Sequence, residues 1–130
     1  MMASLLLNVL TPEGLAFEGE ASYVSLPSKK GVLGLMPGYT PLISPLANKG
    51  VLKIILPNNE ERFFAISFGA VEVKKEKTII LTEKAFPAES EEKAKKLLKE
   101  LPFAFAQDND RDIKTASYKI RKTLKEGQSS

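Results

Sequence analysis

Apolar and polar positions along the chain follow two different periods, and the change falls at Pro87. Before it, short apolar runs are cut by Gly, Pro and Asn. Leu5-Leu6-Leu7-Asn8-Val9-Leu10 closes on Thr11-Pro12-Glu13-Gly14, where Pro fixes φ and Gly admits φ > 0, a turn signal. Leu15 to Glu20 follows, then Tyr23-Val24-Ser25-Leu26 up to Pro27. Val51 to Leu56, the break Pro57-Asn58-Asn59-Glu60 and Arg62 to Ile66 predict one hairpin. Ala70 to Val73, Lys74 to Lys77 and Thr78 to Leu81 predict another. Strands this short at this spacing predict an antiparallel sandwich or barrel.

After Pro87 the period becomes helical. Ser90-Glu91-Glu92 predicts a helix start, a capping hydroxyl followed by carboxylates that suit the positive end of the helix dipole. Ala94, Leu97, Leu98 and Leu101 recur at helical spacing and form one apolar face. Pro102 predicts its end, because the residue before a proline resists the helical region. Phe103 to Asp110 reads as a hinge. A second helix is expected from about Asp110–Asp112, with Ile113, Ala116, Ser117, Ile120 and Leu124 as its stripe and Gly127 as its stop. Two short helices do not bury their faces alone, so they need each other, the sandwich or a partner.

Composition narrows the chemistry. With 130 residues the chain has room for one main domain with a real core, without disulfides or metals. It contains neither Cys nor His. That excludes thiol catalysis and Cys-ligated zinc, and it removes the commonest general base. No apolar run approaches the roughly 20 residues of a membrane-spanning helix. The opening Met1 to Asn8 lacks the basic region of a signal peptide. Any membrane association is therefore expected through a partner.

The net charge of +3 is unevenly spread. Between residues 111 and 126, six cations face Asp112 and Glu126, a surplus of four, so the rest is near neutral. This basic face admits a solvated surface, a nucleic-acid contact, an interfacial membrane helix or docking onto an acidic protein surface. Few cations and little aromatic content beyond Tyr118 argue against the second; a small apolar face without Trp or Phe argues against the third. The first and fourth stay open on physical grounds.

Catalytic constellations are sparse. Gly31-Val32-Leu33-Gly34 lacks phosphate-cradle spacing and reads as a strand where backbones approach closely. Glu89, Glu91 and Glu92 cluster at a helix start, where dipole complementation is the simpler reading than an acid–base pair. Phe63 and Phe64 share a strand, so one of them is expected to face the core.

Gly31-Val32-Leu33-Gly34-Leu35-Met36-Pro37-Gly38-Tyr39-Thr40-Pro41-Leu42 resembles the pattern G-x-L/M-G-I/L-x-P-G/N-H-A/T-P-L/F of the epsilon subunit of the rotary F-type ATP synthase. Leu7 to Gly14 is similar to the first strand and turn of that family. Ile66 to Val73 resembles its S-G-G-x-x-E-V segment, with Phe68 in place of the first glycine.

The resemblance implies a mainly β protein with some α: a ten-stranded antiparallel β-sandwich over residues 1–86, then a C-terminal two-helix hairpin over 87–130. It implies a non-catalytic central-stalk subunit at the cytoplasmic face of a bacterial plasma membrane, peripheral and held there by the complex. That subunit couples proton flow to ATP synthesis. Partners would be the gamma subunit, the c-ring and the alpha and beta subunits, with no nucleic acid. By position, Lys29, Lys30, Gly31 and Val32 would face the c-ring, and Gly38, Tyr39, Thr40, Pro41 and Leu42 would lie against gamma.

The tail would inhibit ATP hydrolysis through Lys114, Lys119, Arg121, Lys122 and Lys125 facing beta, with 87–90 and 102–110 absorbing the conformational change. Some members bind ATP through I/L-D-x-x-R-A. Here Glu91, Glu92, Lys95 and Lys96 stand at its I/L, D, R and A positions; Lys for Arg loses the bidentate fork, and Lys96 replaces the small residue. The resemblance thus implies at most a weak regulatory ATP site at Glu92, Lys95, Arg121 and Lys125, and no other cofactor. A nucleic-acid-binding β-domain with a basic tail is the alternative reading.

Overall fold

The computed structural model describes residues 4–38 and 41–100. These form β1 (Leu5–Thr11), β2 (Gly14–Ala21), β3 (Tyr23–Ser28), β4 (Gly31–Leu35), β5 (Leu42–Pro45), β6 (Lys49–Ile55), β7 (Glu61–Ser67), β8 (Gly69–Val73), β9 (Thr78–Thr82), β10 (Ala85–Ala88) and α1 (Glu91–Glu100). The strands make two five-stranded sheets, ordered β2-β1-β9-β8-β5 and β10-β7-β6-β3-β4. The expected breaks hold: Thr11–Gly14 joins β1 to β2, and the β6–β7 and β8–β9 hairpins pair in register.

One expectation needs correction. Seven of the eight pairings are antiparallel, but β1 runs parallel to β9, with Val9 opposite Ile80. The two strands are separated by most of the sandwich sequence, and local patterning carries no information on their relative direction. The first predicted helix is α1. The second lies in 101–130, outside the described residues.

Alternation with period two sends Leu7 and Val9, Val24 and Leu26, Leu52 and Ile54, Phe64 and Ile66, Val71 and Ile80 into one core between the sheets. All of these except Phe64 are fully buried. A second, smaller cluster lies on the outer side of the second sheet. There Phe63 and Ala65 of β7 meet Ala94 of α1, with Val51, Phe86, Ala88, Leu97 and Leu98 around them. Both phenylalanines of β7 are therefore buried, Phe64 inward and Phe63 under the helix. The single core face expected for this strand is a two-sided one, because α1 returns to cover it.

The helix starts where its sequence predicts. Ser90 Oγ accepts the Lys93 N–H at 3.1 Å, and the Ala94 N–H donates to the Ser90 carbonyl at 3.0 Å. Glu91 and Glu92 occupy the first turn and Lys99 the last, the arrangement the helix dipole favours. Pairing of β10 with β7 continues through Pro87 and Ala88, so the segment expected to hinge at 87–90 begins as strand.

Candidate interaction surfaces

Two hairpin turns at one end of the sandwich share a hydroxyl clasp. Thr11 Oγ1 donates to the Gly14 carbonyl at 3.1 Å and accepts the Glu13 N–H at 3.1 Å. Ser28 Oγ donates to the Gly31 carbonyl at 2.6 Å and accepts the Lys30 N–H at 3.1 Å. Both turns end on glycine at positive φ, 131° at Gly14 and 123° at Gly31. The second clasp holds Lys29 and Lys30 outward as a basic tip, braced by the Lys29 N–H to the Pro45 carbonyl. Val32 follows on β4 with 79% of its surface exposed. Thus the four residues expected to form a contact loop are brought together on a rigid tip.

The segment Gly38–Leu42 links β4 to β5, the edge strands of the two sheets. Gly38 and Pro41 are exposed and Leu42 is half-buried at the start of β5; Tyr39 and Thr40 lie outside the described residues. Its flanks are apolar and open, Met36 at 66% and Ile43 at 73% exposure. Large apolar side chains at such exposure are candidates for partner contact.

A further surface emerges from register alone. On the outer side of the first sheet, Leu15 pairs with Leu10, Leu10 with Leu81, Leu81 with Ala70, and Ala70 with Pro45. This is an apolar row across all five strands. The next row reads Glu18, Asn8, Ile79, Glu72, Ile43. Leu15 is 49% and Leu81 51% exposed. The opposite sheet has α1 over its outer side; among the described residues nothing covers this one. Sequence reading missed it, although the signal was there. Leu5-Leu6-Leu7 and Ile79-Ile80-Leu81 are continuous apolar runs, which place apolar side chains on both faces of a strand.

The nucleotide candidates do not converge on a cleft within the described residues. Glu92 and Lys95 are exposed on α1, and Lys95 Nζ lies 3.5 Å from Glu91 Oε2. Lys96 pairs with Glu100 at 3.7 Å. Glu89 accepts from Lys93 Nζ at 2.7 Å, and that hydrogen bond and charge hold its carboxyl below the usual carboxylate range. The acidic cluster therefore works as helix-start ion pairs rather than as an acid–base couple. Arg121 and Lys125, and the basic set Lys114, Lys119 and Lys122, lie outside the described residues. No helix among the described residues is long and apolar enough to cross a membrane.

Comparison with known proteins gives these surfaces a context. Residues 4–88 match the family model of the ATP synthase delta/epsilon chain beta-sandwich domain. An ATP synthase epsilon chain from Nitratiruptor sp. is 34% identical, aligning 95% of this chain with 98% of that protein. This chain belongs to the ATP synthase epsilon-chain family. The epsilon chain of Bordetella avium is 35% identical over 74% of this chain and 67% of its own length.

Among solved structures, a chain of the Euglena gracilis mitochondrial ATP synthase superposes with a TM-score of 0.62 at 21% identity. It matches 78% of this chain and 65% of that one. A chain in the central stalk and c-ring structure from Tetrahymena thermophila gives 0.53 at 18%, over 63% of this chain and 65% of that one. At these identities the two structures show the fold. In each case this chain spans just under two thirds of the longer neighbour.

Proposed function

We propose that this chain is the non-catalytic epsilon subunit of the central stalk of an F-type ATP synthase. It rotates with the gamma subunit and the c-ring, and it couples proton flow to ATP synthesis on the alpha and beta subunits. The observation that carries this reading is the alignment with an epsilon chain over 98% of that protein's length. The geometry supports it. A stiff two-sheet sandwich with a clasped tip at Lys29–Val32 and an open apolar edge at Met36–Ile43 suits a torque-transmitting wedge between fixed partners. The tip would meet the c-ring, and Gly38, Pro41 and Leu42, with Tyr39 and Thr40 between them, would meet gamma. The subunit would sit peripherally at the cytoplasmic face of a bacterial plasma membrane, held there by the complex.

In this reading residues 1–86 form the binding domain and 87–130 the regulatory one. The cations Lys114, Lys119, Arg121, Lys122 and Lys125 would meet an acidic surface of beta and restrain ATP hydrolysis. The test is a reconstituted complex carrying either the full chain, a chain ending at Glu100, or a full chain with those five cations replaced by Gln. Ending at Glu100 keeps α1 over Phe63 and so leaves the sandwich cover intact. Both altered chains are expected to assemble normally and to raise ATPase activity. Equal activity for all three would refute the inhibitory role.

ATP is at most a weak ligand in this reading. Lys95 and Lys96 are engaged with Glu91 and Glu100, and neither supplies the bidentate fork of arginine. Titration calorimetry of the full chain is expected to show no affinity tighter than about 1 mM. Micromolar binding would overturn this.

A further inference from the structure

The two sheets are tied together at one end and part at the other. At the Lys29 tip, Ser28 bridges Leu46, and the Ala47 N–H donates to the Pro27 carbonyl at 3.0 Å. Beyond that tie the edge strands β4 and β5 are not paired with each other. Between them, toward the β8–β9 turn, opens a pocket of about 830 Å³. Its walls are apolar: Leu5 from β1, Leu33 and Leu35 from β4, Leu42 from β5 and Val73 from β8. Leu5, Leu33, Leu35 and Val73 also pack on the main core. The pocket is therefore a mouth of the sandwich interior, not a part of the uncovered sheet face.

One side of this mouth is polar. The Lys74 N–H donates to the Lys77 carbonyl at 2.9 Å, and Val73 pairs with Thr78 beneath, so the turn is tight. It sets Lys74, Lys75 and Lys77 at the rim against Glu76 alone, a surplus of two cations. None of the three lysines has an ion-pair partner among the described residues. Thr78 opens β9, and period two turns it inward with Ile80 and Thr82. It lines the pocket at only 3% exposure. The Thr82 hydroxyl is held by Ser67 and Lys84. The Thr78 hydroxyl makes no hydrogen bond among the described residues. Buried hydroxyls are ordinarily paired, so this one marks a place for a ligand oxygen.

The occupant that fits has an apolar body and an anionic head. Inorganic phosphate would leave the apolar walls unused, and a neutral hydrocarbon would leave Thr78 and the lysines unanswered. The basic tail of this chain is mismatched in charge, with four excess cations between residues 111 and 126. We propose that this pocket binds a single-chain anionic amphiphile, an alkyl chain ending in a carboxylate. The alkyl chain lies between β4 and β5, and the carboxylate accepts from the Thr78 hydroxyl and the lysine turn. The assignment stands on this chain alone and does not depend on the central-stalk reading.

The test is titration calorimetry of the free full-length chain with decanoate, kept below the concentration at which it forms micelles. Decyl glucoside supplies the same tail without charge, and acetate supplies the head without a tail. Decanoate is expected to bind one per chain, decyl glucoside at least about tenfold more weakly, and acetate not measurably. Thr78→Val removes the hydroxyl at nearly constant volume. It should weaken decanoate about fivefold, leave decyl glucoside unchanged and keep the urea midpoint at or above that of the parent. Replacing Lys74, Lys75 and Lys77 together by Gln, on exposed positions that do not endanger folding, should weaken decanoate about tenfold at low salt and less at high salt. Lys49→Gln, at the β6 end opposite Ser67, should bind like the parent.

No decanoate binding by the parent would overturn the assignment. So would equal affinity for decanoate and decyl glucoside, or unchanged decanoate binding in both the Thr78 and the lysine variants. Anionic phospholipid vesicles that recruit the parent while decanoate does not bind would make the rim a membrane-surface contact, which also overturns it.

Discussion

Two glycines separate backbone necessity from side-chain accommodation. At Gly69 the obstacle to a Cβ is the Leu81 backbone, and φ is positive. At Gly34 the nearest atom is the Tyr23 hydroxyl, 2.5 Å from where a Cβ would sit, and φ is ordinary. Gly69→Ala is therefore expected to cost at least about 2 kcal/mol, since strand and backbone must both move. Gly34→Ala should cost clearly less, because the tyrosine ring can swing away. Urea denaturation of both variants checks the order, and equal midpoints would contradict it. The sequence reading found the Gly31–Gly34 segment as a strand with a close approach, but not what approaches. It is the Tyr23 ring from the neighbouring strand, a cross-strand fact invisible to local pattern. The clasps at Thr11 and Ser28 were legible only as turns; the hydroxyl that locks each one appears once the geometry is known.

At the scale of elements, α1 is well started and lightly held. Its cap is Ser90, but only Ala94 is fully buried, with Leu97 and Leu98 half-buried beside it. Ser90→Ala is expected to cost about 1 kcal/mol of helix stability. Hydrogen exchange should show faster opening of α1 while the sandwich amides stay protected; uniform loss of protection would contradict a separately held helix.

Acid should loosen the same helix start. The carboxyl of Glu89 titrates below its usual range because of Lys93. Its pairing therefore contributes above the ordinary carboxylate pKa and is lost as pH falls through the lowered value. The helix start and its apolar face were legible from Ser90 and the Ala94–Leu98 spacing. The burial of Phe63 was not, since it depends on α1 folding back over β7. Nor was the parallel β1–β9 pair, because strand direction is set by how the chain crosses between sheets. In hindsight, the unbroken apolar runs of those two strands carried the uncovered face.

At the scale of the whole molecule, the two outer sheet faces differ. One is covered by α1 and the other presents an apolar row bordered by Glu18 and Glu72. That asymmetry leaves one broad side of the sandwich open while α1 occupies the other. In the proposed role this chain turns with the stalk. A cysteine introduced at exposed Glu60, in the β6–β7 turn, would be unique in a chain that has none. A bead attached there, on a surface-immobilised alpha–beta–gamma assembly carrying this chain, reports its motion directly. ATP-driven, stepwise rotation of the bead at the rate of gamma is expected. A bead that stays still while gamma turns, or a chain that fails to attach, would contradict it.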